Sequence, residues 1–353
     1  MGDAIHAVIL AGGKGTRFWP KSRARRPKQL LPIVSERTMV QETVSRLAPL
    51  VSPERVWVVT GAEHEGEIRE QLPGVPKEQV LVEPVGRNTA PAIGLAAHLI
   101  DRADPGAIMI VLPADHHIRY ADGFREALGR AIRVAREAEL LVTIGITPTA
   151  PETGYGYVER GEPLAQGGYR VARFTEKPQR NRAEEFLASG RFLWNSGIFV
   201  WRVETIRAAL ARHLPETDRA LAAIVSAWGD RAALSSGYSA IRDQSVDFGI
   251  LEKADDVAVV EGEFGWDDIG SWTALMRLWP ADANGNVSRG RVVAIDSGKN
   301  VVVADERLVA LVGVEDLVVV ETGDAVLICS RERAQDIKLV LEELGRRGWK
   351  ESL

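Results

Sequence analysis

At 353 residues, with 45% hydrophobic and 26% charged residues, the chain has room for roughly two domains at about 150 residues each and the make-up of a soluble globular protein. A net charge of −5 argues against coating nucleic acid, and a single cysteine, Cys329, excludes an internal disulfide and a cysteine-based zinc cluster. No run approaches the ~18 apolar residues of a membrane span, and the opening MGDAIHAVIL, with Asp3, does not read as a signal peptide, so a cytoplasmic protein with neither membrane nor nucleic acid as partner is expected.

Short β-branched runs alternate with helical patterns through the first two thirds. Residues 6–10, 55–60, 79–82, 107–112 and 141–146 predict strands; the first, second and fourth are apolar almost throughout, as in parallel strands buried on both faces. Between them, 39–48, 88–102 and 123–139 predict helices, the second opening on Asn88 or Thr89 as cap with Pro91 in its first turn. This alternation implies an α/β sheet with helices on both faces and ligands at the carboxyl ends of its strands. Beyond Trp279 the texture changes to short valine-rich strands broken by Asp, Gly and Glu turns. The chain closes on an amphipathic helix over 331–346, where Ala334, Ile337, Leu341 and Leu344 recur at helical spacing. The expected domains are 1–280 and a small β-rich 281–353.

Residues 8–33, "VILAGGKGTRFWPKSRARRPKQLLPI", put a glycine-rich turn behind the first strand. Seven basic residues follow, Lys14, Arg17, Lys21, Arg23, Arg25, Arg26 and Lys28, with no acidic one. The stretch is not a P-loop, because Gly13-Lys14 is followed by Gly15 rather than Ser or Thr. It is not a dinucleotide fingerprint either, because Phe18 stands where the third glycine is required. Glycines at a strand end still let backbone N–H groups approach a phosphate while basic side chains neutralise its charge; a solvated basic loop is the plainer alternative.

Further clusters fall at other strand ends. "EPVGRNTAPAIG" (83–94) places Arg87 and Asn88 at a helix start, suited to reading a base edge or ribose, or simply to capping. "VLPADHHIRY" (111–120) puts Asp115 just after a buried strand, where a carboxylate can hold Mg²⁺ alongside substrate phosphates; His116 and His117 read as turn residues rather than ligands. "TGYGYVERG" and "FTEKPQR" bracket a hairpin-like insertion in which Gly154 and Gly156 allow close approach of a ligand ring, and Glu176 and Lys177 offer an acceptor beside a cation. Asn195 in "WNSGIFVWR" is a turn former or a hydroxyl reader. In "GEFGWDDIGSW", Asp267 or Asp268 is either a second metal carboxylate or a cap for a helix from Gly270 onward.

In this order, LAGGKGTRFWPKSRARRPKQ, GRNTAPA, PADH, TGYGY, FTEKP, WNSGIF and GWDDIGSW resemble the motifs of the sugar-1-phosphate nucleotidyltransferases, most closely the mannose-1-phosphate guanylyltransferases (GDP-mannose pyrophosphorylases). The resemblance covers nearly the whole chain. It implies a Rossmann-like, glycosyltransferase-A-like α/β fold with a mixed sheet, helices on both faces and a C-terminal β-helix-like appendage. It also implies Mg²⁺-dependent in-line transfer of GMP from GTP to α-D-mannose 1-phosphate, giving GDP-mannose and pyrophosphate. Carried over by position, the backbone of Leu10, Ala11, Gly12, Gly13, Gly15 and Thr16 cradles the GTP phosphates, and Arg17 and Lys28 stabilise charge at the transferring α-phosphate. Gly86, Arg87, Asn88 and Thr89 lie near the nucleoside. Asp115 and Asp268, the latter at the family's Trp-x-Asp-x-Gly aspartate, hold the metal; Gly154, Glu176 and Asn195 contact the sugar, and Lys177 its phosphate. The alternatives are another sugar, such as a heptose 1-phosphate, or a non-catalytic homologue that binds sugar nucleotides. A phosphomannose isomerase domain carried by some relatives is not expected in a chain stopping at Leu353, and the terminal β segment with its helix offers a homodimer contact.

Overall fold

The most apolar runs form the middle of a sheet. Strands β1 (Ile5–Leu10), β2 (Val56–Gly61), β3 (Val80–Glu83) and β4 (Ile108–Pro113) pair in parallel in the order β3-β2-β1-β4, and the interior residues of β1, β2 and β4 are buried. After the two-residue β5 (His117–Ile118) come β6 (Leu141–Ile146), β7 (Tyr157–Pro163), β8 (Tyr169–Thr175), β9 (Phe192–Arg202) and β10 (Val257–Glu261). All but β5 join one nine-stranded sheet of order β3-β2-β1-β4-β9-β6-β10-β8-β7. Because β9 runs antiparallel to both β4 and β6, the sheet is mixed, and β7 and β8 are the hairpin expected between the TGYGY and FTEKP stretches.

Helices α1 (Met39–Ser45), α3 (Thr89–Ala103) and α4 (Ala121–Ala138) match the three expected ones, with α2 (Glu65–Gln71) between the first two. Helices α5 (Arg180–Ser189), α6 (Val203–His213), α7 (Pro215–Ser226) and α8 (Arg231–Ala240) are additional to them. Pro215 and Gly229-Asp230 separate the last three of them. Buried α3 is built of small residues for a reason: a Cβ on Gly94 would stand 2.5 Å from Leu221 Cδ1, so only glycine allows this approach to α7.

The structure, a computed structural model, describes residues 4–13 and 15–352. The elements above belong almost wholly to a first unit, Met1–Gly12, Thr43–Ala114 and Ile118–Trp266, while Gly13–Glu42, Asp115–His117 and Asp267–Leu353 form a second. Following β11 (Trp266–Asp267), which pairs with β5, and the short α9 (Leu275–Leu278), the second unit becomes a stack of chain turns. Strands β12 (Val287–Arg289), β14 (Val301–Ala304) and β16 (Leu317–Glu321) lie parallel with Val287, Val301 and Val318 in register. A second parallel pair, β13 (Val292–Ile295) and β15 (Val309–Val312), forms beside them, and β17 (Val326–Ser330) turns back antiparallel on β16. A 3-10 helix, Arg331–Asp336, then leads into α10 (Ile337–Arg347). The core of this unit takes in the loop that follows β1: Phe18, Trp19, Leu31 and Ile33 share one apolar cluster with Trp272, Val301, Val318, Ala334 and Ile337.

Corner backbone groups of such a stack need side-chain partners. Asn300, fully buried, donates through Nδ2 to Asn286 Oδ1 (2.9 Å) and to the Val314 carbonyl (3.0 Å), and its Oδ1 accepts from Leu317 N–H (2.9 Å). Among the described residues no helix is long and apolar enough to cross a membrane. Asn300→Ala, which takes the acceptor from Leu317 N–H and removes two buried donations, is expected to destabilise the chain by about 2 kcal/mol or more. Denaturant unfolding checks this, and an unchanged midpoint would remove the amide ladder as a support.

Candidate active site

In the second unit, Gly15 adopts a left-handed conformation (φ 55°) just ahead of the 3-10 helix Thr16–Phe18. A Cβ there would fall 2.4 Å from Lys28 Cβ and 2.7 Å from Lys28 N, so glycine is required both for its φ and for its closeness to Lys28. Lys28 is 4% exposed, lies over the Phe18 ring, and donates from Nζ to Asp115 Oδ2 (3.1 Å) and to the Asp268 carbonyl (2.7 Å). Burial pushes the Asp115 carboxyl up, but the charges of Lys28 and His116 outweigh it and hold the group below the usual range. A Cβ on Gly270 would sit 3.2 Å from Asp268 Oδ2 and 3.6 Å from Arg17 Nη1, which places both side chains around one small residue. Asp267 is engaged within its own segment, accepting from Ile269 N–H (2.8 Å) and pairing with Arg277 (2.7 Å). Arg17, Lys28, Asp115 and Asp268 therefore all lie in this unit.

Two carboxylates suit a hard cation that keeps several waters and takes its other ligands from phosphates. No group of three or more His, Cys, Asp or Glu able to hold a metal occurs among the described residues. The loop as a whole is less cationic than its sequence suggests. Lys21 pairs with Asp305 (2.6 Å), and Arg23 pairs with both oxygens of Asp324 (2.9 Å each) and donates to the Ser352 carbonyl. These two residues hold the loop to the terminal β segment, which corrects the picture of seven cations awaiting a ligand; Lys14 lies outside the described residues.

Gly13 and Thr16 also belong to the second unit, and the first unit holds the other expected residues. Leu10 O accepts from Ala114 N–H (3.0 Å) and Ala11 N–H donates to Val59 O (2.8 Å), so the Ala11 donor is engaged within the fold. A Cβ on Gly12 would come within 3.3 Å of Glu83 Oε2, and Glu83, at the end of β3, accepts at Oε1 from the buried Tyr238 hydroxyl (2.5 Å). Burial pushes this carboxyl above its ordinary range, against the Tyr238 hydrogen bond. Asn88, at φ 69°, caps α3 through Thr89 N–H (2.9 Å) and donates to Asp243 (3.2 Å); Arg87 donates to the Ser239 carbonyl. Thr89 Oγ1 accepts from Val246 N–H, and Gly86 and Gly154 are exposed with no atoms crowding them.

Glu176, Lys177 and Asn195 do converge in this unit. Asn195 is buried on β9, where the pairing with β6 slips; its Oδ1 accepts from Thr143 Oγ1 (2.8 Å) and its Nδ2 donates to Asp247 Oδ1 (2.8 Å). A Cβ on Gly156 would stand 2.4 Å from Glu176 Oε2 and 3.2 Å from Asn195 Cβ, so glycine keeps this space open. Glu176 Oε1 meets Lys177 Nζ at 3.2 Å, while Oε2 is buried with no hydrogen-bond partner. Asp247 is an addition that sequence reasoning misses; it lies far along the chain from Glu176, and Asp-Phe-Gly reads locally as a turn.

Burial, reinforced by the Asp247 charge and opposed by Lys177, raises the Glu176 carboxyl to about 7. The folded state then holds a proton that the unfolded chain loses near pH 4.5. Relative to Glu176→Gln, the parent is expected to lose about 3 kcal/mol of stability as pH rises from about 4.5 through about 7, with no further change above. Unfolding curves of both proteins at a series of pH values measure it; parallel curves would mean that Glu176 is ionised throughout.

Comparisons with known proteins agree on one family. Residues 6–285 match the nucleotidyl transferase family and residues 290–344 the MannoseP isomerase/GMP-like beta-helix domain. The mannose-1-phosphate guanylyltransferase of Klebsiella pneumoniae is 44% identical over 96% of this chain and 73% of its own length, and that of Escherichia coli is 43% identical with the same coverage. A solved structure from Thermus thermophilus, described as mannose-1-phosphate geranyltransferase, superposes with a TM-score of 0.89 at 38% identity, covering 97% of this chain and 99% of that one. With a mixed α/β sheet, a stacked β domain and matches that run almost end to end, the chain belongs to the nucleotidyl transferase family, as a sugar-phosphate nucleotidyltransferase related to the mannose-1-phosphate guanylyltransferases.

Proposed function

We propose that the enzyme transfers GMP from GTP to α-D-mannose 1-phosphate, releasing pyrophosphate and GDP-mannose, in the cytoplasm and with Mg²⁺. The observation that carries this reading is Lys28, buried and bonded at once to the Asp115 carboxylate and the Asp268 carbonyl. In the reaction, a phosphate oxygen of the sugar phosphate bonds to the α-phosphorus of GTP, the bond from that phosphorus to the bridging oxygen breaks, and pyrophosphate leaves with the electron pair. Two polyanions must meet, and cations lower that barrier. Arg17 and Lys28 carry the charge on the protein side, and Gly12, Gly13, Gly15 and Thr16 offer backbone donors to the phosphates. Asp115 and Asp268 would hold Mg²⁺, which supplies charge neutralisation at the phosphates when bound.

In this reading the sugar lies against Glu176 and Asn195, near Gly154, with its phosphate toward Lys177. The unpartnered Oε2 of Glu176 supports it, because a buried acceptor of that kind suits a sugar hydroxyl. Gly86, Arg87, Asn88 and Thr89 border the nucleoside. No general base is required, since a phosphate monoester is already ionised near neutral pH. The proposed catalytic domain is 1–280 and the β appendage is 281–353.

We also infer a homodimer through the β appendage. Val312 and Ile328, 66% and 65% exposed, line with Leu308 and Val326 an apolar cavity of about 480 Å³, and Ile295, 53% exposed, lies beside Val312 in register. An exposed aliphatic face on open strands is ordinarily covered.

Pyrophosphate release, measured with GTP, ATP, UTP or CTP against mannose, glucose and heptose 1-phosphates, tests the activity. Release confined to GTP with mannose 1-phosphate and abolished by EDTA is expected; a different preferred pair would overturn the assigned specificity. Lys28→Ala and Asp268→Asn are each expected to lower turnover by about 10² or more with the fold intact, the scale of losing one electrostatic stabiliser. Light scattering is expected to give a dimer for the parent and a monomer for Val312→Asp, and a monomeric parent would sink the dimer.

A further inference from the structure

The loop cations are partnered unequally. Lys21 and Arg23 face carboxylates, Asp305 and Asp324, and Lys28 faces Asp115. Arg17 instead donates from Nη1 to the neutral amide oxygen of Gln335, at 3.0 Å. Gln335 lies in the 3-10 helix Arg331–Asp336, flanked by Ala334, and followed after Asp336 by Ile337. Both Ala334 and Ile337 are 2% exposed, in the same apolar cluster as Phe18, the residue after Arg17, and as Ile269, the residue after Asp268. Phe18 packs on Trp272 at 4.9 Å between ring centroids. One core thus fixes the backbone beneath Arg17, Asp268 and Gln335. The carboxylate nearest to Gln335 in sequence, Asp336, is paired with Arg333 (2.9 Å).

We propose that Gln335 is a positioning residue for Arg17: it holds the guanidinium by a neutral acceptor and so leaves the positive charge available to the nucleotide phosphates. The inference rests on the reading of Arg17 given above. A carboxylate at the same place would orient the guanidinium equally well but cancel its field where a polyanion must bind. The terminal β segment is, on this account, part of the transfer site and not only a structural appendage.

Four proteins decide it: the parent, Gln335→Ala, Gln335→Glu and Arg17→Ala, each checked for an unchanged thermal midpoint. For GTP with mannose 1-phosphate, Gln335→Ala is expected to lower kcat/KM roughly threefold to tenfold, the scale of one hydrogen bond. Gln335→Glu is expected to lose about a further fivefold, chiefly as a raised KM for the nucleotide that recovers in high salt, the scale of one charge at close range. Affinity for inorganic pyrophosphate, read by calorimetry without turnover, should fall in the order parent, Gln335→Ala, Gln335→Glu. Parent-like behaviour of both Gln335 variants, with Arg17→Ala down by about a hundredfold, would overturn the positioning role and leave the reading of Arg17 intact. A Gln335→Glu protein that matches the parent would overturn the argument from neutrality. An Arg17→Ala protein within twofold of the parent, or a parent that does not bind pyrophosphate, would overturn the reading of Arg17 and this inference with it.

Discussion

A buried ammonium group must be paired, and Lys28 is paired twice. That requirement shapes much of the second unit. Its Nζ reaches a carboxylate on one chain segment, Asp115, and a carbonyl on another, Asp268, so three stretches far apart in sequence converge on one charge. Gly15 has no side chain because a Cβ would strike Lys28, and Phe18 offers its ring face to the ammonium. The aromatic core below, Phe18 on Trp272, sets the height at which these groups stand. Removing the lysine would leave more than an absent cation: Asp115 would lose the larger of the two charges that hold its carboxyl below the usual range.

Charge is managed differently in the first unit. Glu83 and Glu176 are both carboxyls with raised proton affinity, yet their surroundings differ. Glu83 has the Tyr238 hydroxyl on one oxygen, so part of its acceptor capacity is already satisfied within the fold. Glu176 keeps one oxygen without a partner and an exposed Lys177 beside the other. The first arrangement fixes a side chain; the second leaves one carboxyl oxygen without a hydrogen bond.

Much of this was legible in the sequence, for identifiable reasons. Strands of continuous apolar residues, such as those at 6–10 and 107–112, signal burial on both faces, and Asn88 ahead of Pro91 signals a helix start. The order of the glycine-lysine-arginine stretch and the later motifs pointed to the family. What stayed hidden depends on distance in three dimensions. Nothing local marks Asp247 as the partner of Asn195, or Tyr238 as that of Glu83, because each pair joins elements many residues apart. The partition of the basic loop was equally invisible: Lys21 and Arg23 look like Arg17 until Asp305 and Asp324 are brought against them. Helices α6 to α8 were not among the expected elements, although they are as amphipathic as α3.

The antiparallel return of β17 on β16 has a consequence for how the β domain can vary. Parallel turns of chain present the same edge again and again, so a stack of them has no intrinsic length and can accept another turn or another molecule. A strand running the other way breaks the parallel repetition at that edge. A turn inserted before that strand would bring a whole coil with its own corner amide, and would displace the 3-10 helix that carries Gln335. Because Gln335 meets Arg17, a change in the number of coils between them would move one end of that contact.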